Sequence, residues 1–178
     1  MLKKILIGLG IVGFLFAVLA SYEIFIAGKR SPKDTAQLSQ GNLDVTVVYC
    51  RPYKKGRLIF GEKAAGALVP FEQYWRLGAN APTMISFAKN VLFAGKPVAA
   101  GTYRMYAVPS AASWKLVLNS SSGMSGAREP DHDKDILSVD VPVGTAPMPS
   151  EQFTIRFADT AMELTWDTTL VRVPLAAN

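Results

Sequence analysis

Two short stretches concentrate the side chains best suited to recognising a ligand. The first is Tyr49-Cys-Arg-Pro-Tyr-Lys-Lys-Gly-Arg57, which crowds Arg51, Lys54, Lys55 and Arg57 together. The second is Tyr74-Trp-Arg-Leu-Gly-Ala-Asn80, which sets an aromatic ring, a guanidinium and an amide beside turn-forming residues. A guanidinium carries its N–H donors in a planar fork, the shape that suits a carboxylate or a phosphate. If the two stretches meet, Arg51, Arg57, Trp75, Arg76 and Asn80 make a pocket with forked donors and an aromatic wall. The same residues have a plainer use. Irregular backbone must pair its own N–H and C=O groups, and Arg76 and Asn80 are equipped to do that. Both readings are open from the sequence, and Arg76→Lys separates them. A bracing arginine costs stability when it is lost, and a surface ligand arginine does not. Bracing is the outcome we expect at Arg76, because loop backbone needs such partners whether or not a ligand exists.

Other reactive residues lead nowhere catalytic. His132 lies in Asp131-His-Asp-Lys-Asp135 and is the only histidine. It would have to be the base of any Ser-His-Asp arrangement, yet no nucleophile elbow accompanies it, and the neighbouring acids suit a solvated loop. Asp131, Asp133 and Asp135 have the alternate spacing of a calcium loop. Ile136 stands where that loop needs Gly and Pro142 where it needs Glu, which excludes an EF-hand. One Cys and one His cannot complete a zinc site. Cys50 has no partner for a disulfide and reads as a small buried hydrophobe at a strand end. No carboxylate pair is identifiable. No catalytic residue, metal or cofactor is therefore assigned, and the chain leans away from being an enzyme.

These stretches must be positioned by strands. Past Asn42, apolar and polar residues alternate in segment after segment. Leu43, Val45, Val47 and Tyr49 share one face. Trp114, Leu116 and Leu118 do the same, as do Leu137, Val139, Val141 and Val143. Phe153, Ile155 and Phe157 follow, then Met162, Leu164 and Trp166, and last Val171, Val173 and Leu175. Alternation with one wet face belongs to antiparallel sheets; parallel sheets read as continuous apolar runs. The expectation is an all-β domain over residues 43–178, an antiparallel β-sandwich or jelly-roll of about ten short strands. Residues 61–82 and 119–134 do not fit the strand pattern, and a helical turn within 70–77 is the most that the former suggests.

Residues 1–4 are basic and residues 5–20 apolar, the layout of an export signal. Uncleaved, residues 5–28 suffice to span a hydrocarbon core, which needs about 20 residues. We expect residues 1–28 to be a hydrophobic helix acting as a signal anchor, and 29–42, polar with Pro32 and Gly41, to be a linker. The domain would then face the periplasm from a bacterial inner membrane, with that membrane as its partner through residues 5–28; cleavage after Ala20, which Val18 and Ala20 suit, would instead leave it free in the periplasm.

Composition closes off other classes. With 49% hydrophobic and 19% charged residues among 178, the chain is not a disordered one. Its net charge of +5 is modest and scattered. No basic helix or stacking strand appears, so nucleic acid is not an expected partner.

One resemblance covers most of the domain. Tyr49-x-Arg-Pro-x-x-Lys-Gly-Arg57, Ile59-Phe-Gly61, Leu68-Val-Pro70, Trp75-Arg-x-Gly-Ala-Asn80, Thr83 and Ala100-Gly-Thr-Tyr103 resemble the bacterial domain-of-unknown-function family 2911. Trp114 and Asn119 fit its later pattern. Pro82, Cys50 and the Gly123-Met-Ser-Gly126 stretch depart from it. The resemblance implies an exported, β-rich bacterial domain and no defined biochemical role. Two functional expectations follow: an envelope binding domain for an anionic small molecule or glycan, or a structural or protein-interaction domain with no small ligand.

Overall fold

The computed structural model describes residues 11, 13–19, 21–22, 31–121 and 126–178. The domain is all-β, as the alternation requires. Its strands are β1 (Lys33–Gln40), β2 (Leu43–Cys50), β3 (Phe60–Gly61), β4 (Val69–Pro70), β5 (Thr83–Phe87), β6 (Val91–Phe93), β7 (Lys96–Val98), β8 (Gly101–Pro109), β9 (Ser113–Asn119), β10 (Asp135–Ala158) and β11 (Ala161–Ala177). Nine of them form one antiparallel sheet in the order β1-β2-β5-β8-β9-β10-β11-β6-β7, while β3 and β4 make a short parallel pair.

The sheet folds over at β10. Its first part pairs with β9 from Asp135 to Pro142, and its second with β11 from Val143 to Ala158. Register shifts between Thr145 and Thr154 mark irregularities along the way. Such irregularities re-aim a strand and raise its twist, allowing one strand to serve two layers. The alternation reads as separate short strands at 137–143 and 153–157, and again at 162–166 and 171–175. Each pair is one long strand, because the chain between them stays paired across β10 and β11, through Thr145–Thr169 and Ser150–Asp167, instead of turning.

Two sequence-based boundaries move. Residues 33–40, expected to be linker, form β1, paired in full with β2 from Lys33–Cys50 to Gln40–Leu43. Only Ala36 and Leu38 of that strand are buried, so its apolar signal is faint. A sheet edge needs no more. The helical turn expected within 70–77 lies instead at Lys63–Ala65, as one turn of 3₁₀ helix ended by Gly66 at φ 76°. Near the N-terminus the described residues 11, 13–19 and 21–22 are helical and expose Phe14, Phe16 and Leu19. No helix among the described residues is long and apolar enough to cross a membrane. The expectation of a span over 5–28 falls largely on residues outside the described ones.

The two layers enclose one core in which aromatic rings dominate one end. Trp75 packs edge-on against Trp114, Phe153 and Phe60, with centroids 5.0–5.4 Å apart, and stacks on Trp166 at 6.0 Å and 19°. Edge-on and offset pairs are the arrangements the ring quadrupole favours. Trp75 is itself outside the main strands. Its backbone exchanges both hydrogen bonds with Ala107 of β8, at 2.8 and 2.9 Å. That short bridge and the buried indole pin the irregular 61–82 segment to the sandwich.

Candidate functional site

The two candidate stretches meet. A cleft of about 660 Å³ opens between them, lined by Ser31, Pro52, Tyr53, Lys55, Arg57, Leu68, Val69, Trp75, Arg76, Gly78, Ala79, Asn80 and Trp166. Four of the five expected residues, Arg57, Trp75, Arg76 and Asn80, are on its wall. Local backbone explains how they get there. Lys55, Gly56, Leu77, Gly78 and Asn80 all have positive φ, so both stretches turn sharply and project their side chains to one side. Buried Leu77 anchors the second turn, and its carbonyl accepts from the buried Thr83 hydroxyl at 2.6 Å.

Arg51 is elsewhere. Its Nη1 lies 3.1 Å from Asp34 Oδ2 on β1, its Nη2 donates to Thr154 Oγ1 at 2.9 Å and its Nε to the Phe153 carbonyl at 3.3 Å. With its fork occupied, Arg51 ties β1, β2 and β10 together and does not line the cleft. Lys54 is also used up, 2.7 Å from Asp167.

The remaining cations differ. Arg57 spends part of its fork on its own turn, donating from Nε to the Lys54 carbonyl at 2.9 Å and from Nη2 to the Tyr53 carbonyl at 2.5 Å. Arg76 makes one long contact, Nη1 to the Asn80 carbonyl at 3.5 Å. At that length it adds little stability. The expectation that Arg76 braces its segment is thus met by a single marginal bond. Lys55 contributes its backbone N–H to Glu151 Oε1 at 2.8 Å. Among the described residues, none of Lys55, Arg57 and Arg76 has a carboxylate within ion-pair distance. The lining itself contains no Asp or Glu.

Beneath this cationic rim lies the Trp75–Trp166 stack. The Trp75 indole N–H donates to the Gly78 carbonyl at 3.2 Å, whereas Trp166 Nε1 is buried with no hydrogen-bond partner among the described residues. Trp166 escaped sequence reasoning because its alternation with Glu163 and Thr165 marks it only as core. Nothing local says which end of the core it reaches.

A second cluster joins β8, β9 and the 126–135 segment. The Tyr106 hydroxyl donates to Asp135 Oδ2 at 2.7 Å and lies 2.9 Å from His132 Nδ1; Asn119 Nδ2 donates to Asp135 Oδ1 at 2.7 Å and to the Asp131 carbonyl at 2.8 Å. Burial, and then the Asp135 carboxylate, push the Tyr106 hydroxyl well above its ordinary range, so it stays a donor. His132 is exposed and its pKa is raised, chiefly by its hydrogen bond to Asp135. Asp131 caps the short 3₁₀ turn His132–Lys134 by accepting from the Asp133 N–H. A tyrosine held protonated is a poor nucleophile or base. The cluster fastens the loop to the sheet. Among the described residues, no three His, Cys, Asp or Glu side chains group as a metal site.

A family model described as "Protein of unknown function (DUF2911)" matches residues 31–175, all of the sandwich but the last two residues of β11, and both stretches of the cleft. The chain belongs to that family. No curated protein and no solved structure matches it. The DUF2911 match begins at Ser31, beside the cleft, and covers β1 with the rest of the sheet, in agreement with β1 being part of the domain.

Proposed function

We propose that this DUF2911 domain is a non-enzymatic binding module that takes an anionic small molecule or glycan of the cell envelope in the Lys55–Arg57–Arg76 cleft. One observation carries the reading: three cations surround the cleft with no carboxylate among its lining residues. A fold that needed those charges for itself would pair them, as it pairs Arg51 and Lys54. Among the described residues Arg76 and Lys55 have no acid partner, which leaves their charges to meet a carboxylate or phosphate, and Asn80 adds a neutral polar group.

The module is exported and held at a bacterial inner membrane by its N-terminal apolar segment. The described helical residues support this by turning Phe14, Phe16 and Leu19 away from any protein surface. A phosphatase reporter fused after Asn178 is expected to be active; activity of a cytoplasm-only reporter at that place overturns the localisation.

A structural or protein-interaction role is the second reading, favoured by Arg51 and by Arg57, whose donors partly serve backbone carbonyls. A thermal-shift screen with sugars, nucleotides, carboxylates and peptidoglycan fragments decides. A ligand of the folded state raises Tm by mass action, by about 2.7 kcal/mol of stability at a hundredfold excess over Kd. If all of them leave Tm unmoved, the second reading stands.

A further inference from the structure

We propose that the anion this cleft meets is the phosphate of an anionic phospholipid, and that the domain docks cleft-down on the membrane that holds its N-terminus. This rests on the binding reading of the same cleft and names its ligand.

The argument begins with the chain path. Ser31 lines the cleft, and the apolar run of residues 5–28 ends three residues before it. Three residues of chain reach at most about 11 Å. A bilayer holding that run therefore places its headgroup layer next to the cleft mouth.

The surface around the mouth is made for such a layer. Leu68, on the cleft wall, is 42% exposed, and its N–H donates to the carbonyl of Leu58, 48% exposed, which sets a second exposed leucine on the neighbouring chain segment as an apolar lip. Beside it stand Lys55, Arg57 and Arg76, with no acid partner among the described residues. An apolar lip flanked by cations matches the acyl–phosphate boundary, where aliphatic groups sink and cations meet phosphate. A sugar or free carboxylate has no use for the exposed leucines.

The test uses the full chain in lipid nanodiscs, read by hydrogen exchange of backbone amides over residues 53–58 and 76–80. Discs containing phosphatidylglycerol are expected to slow that exchange relative to phosphatidylcholine discs, and high salt to reverse it. Lys55→Gln and Arg76→Gln, whose side chains make no more than one long hydrogen bond, should each reduce the docked population on the order of fivefold. Equal exchange in the two kinds of disc overturns the proposal. Free glycerol phosphate added to the phosphatidylcholine discs is the control for source. If it protects the cleft where phosphatidylglycerol does not, the membrane docking fails and the cleft reading survives. Protection by neither phosphatidylglycerol nor any soluble anion removes both.

Discussion

Gly78 is pressed against the backbone of Cys50: a methyl group on its Cα would lie 2.5 Å from the Cys50 carbonyl oxygen. The contact fixes the second stretch of the cleft directly on the end of β2, from which the first stretch departs. Gly78 also has φ 137°, a conformation closed to ordinary side chains. Gly78→Ala is therefore expected to destabilise the protein by about 2 kcal/mol or more, from strain and overlap together. Urea melts at unchanged m-value measure this, and a midpoint equal to wild type would show that the approach is not close.

Arg76→Lys is expected to leave the urea midpoint nearly where it is, within about 0.5 kcal/mol, because only one 3.5 Å contact is lost. This reverses the expectation drawn from sequence, in which Arg76 braces the irregular segment. A drop of about 1–3 kcal/mol would restore bracing as the role of Arg76.

Tyr49 reaches across the sandwich to Ile155, with a longer contact to Asp34 Oδ2 at 3.5 Å. Its hydroxyl donates to the Ile155 carbonyl at 3.1 Å and accepts from the Ile155 N–H at 2.9 Å. Tyr49→Phe keeps the ring packed against Phe153 but leaves both backbone groups unpaired inside the protein. A loss of about 1–3 kcal/mol is expected, with the secondary-structure circular dichroism unchanged. Wild-type stability in the variant would mean that those groups find another partner.

His132 predicts a pH dependence. Its folded pKa is raised, first by the hydrogen bond to Asp135 and more weakly by Glu129, against the opposing effect of burial. A raised basic group favours the protonated fold. Its contribution is complete below the unfolded value of about 6.5 and is lost as pH rises through the folded value. Wild type should thus lose more Tm than His132→Gln between about pH 6 and about pH 8. The difference should be small, because His132 is exposed and solvent screens its partners. Identical pH profiles for the two proteins would contradict this assignment.

Much of the fold was legible because a half-buried strand writes its geometry locally. Side chains alternate faces with period two, so Val45, Leu116 or Ile155 can be placed on the inner face without knowing their neighbours. The resemblance motifs likewise lie within single stretches. β1 was missed for the same physical reason, since an edge strand that buries only Ala36 and Leu38 leaves almost no periodic trace.

By itself, then, the sequence determined an antiparallel β domain and the two stretches rich in arginine, tryptophan and glycine. Which cations are free was decided by the tertiary structure alone. Arg51 and Arg57 are equivalent in sequence terms, yet Arg51 finds Thr154, 103 residues away, and Asp34 on the strand that had been read as linker. Trp166 and His132 took their places in the same way, one under the cleft and the other beside Tyr106. Ion pairing and hydrogen bonding act over a few ångströms of space, and no local pattern records which distant strand will supply the partner.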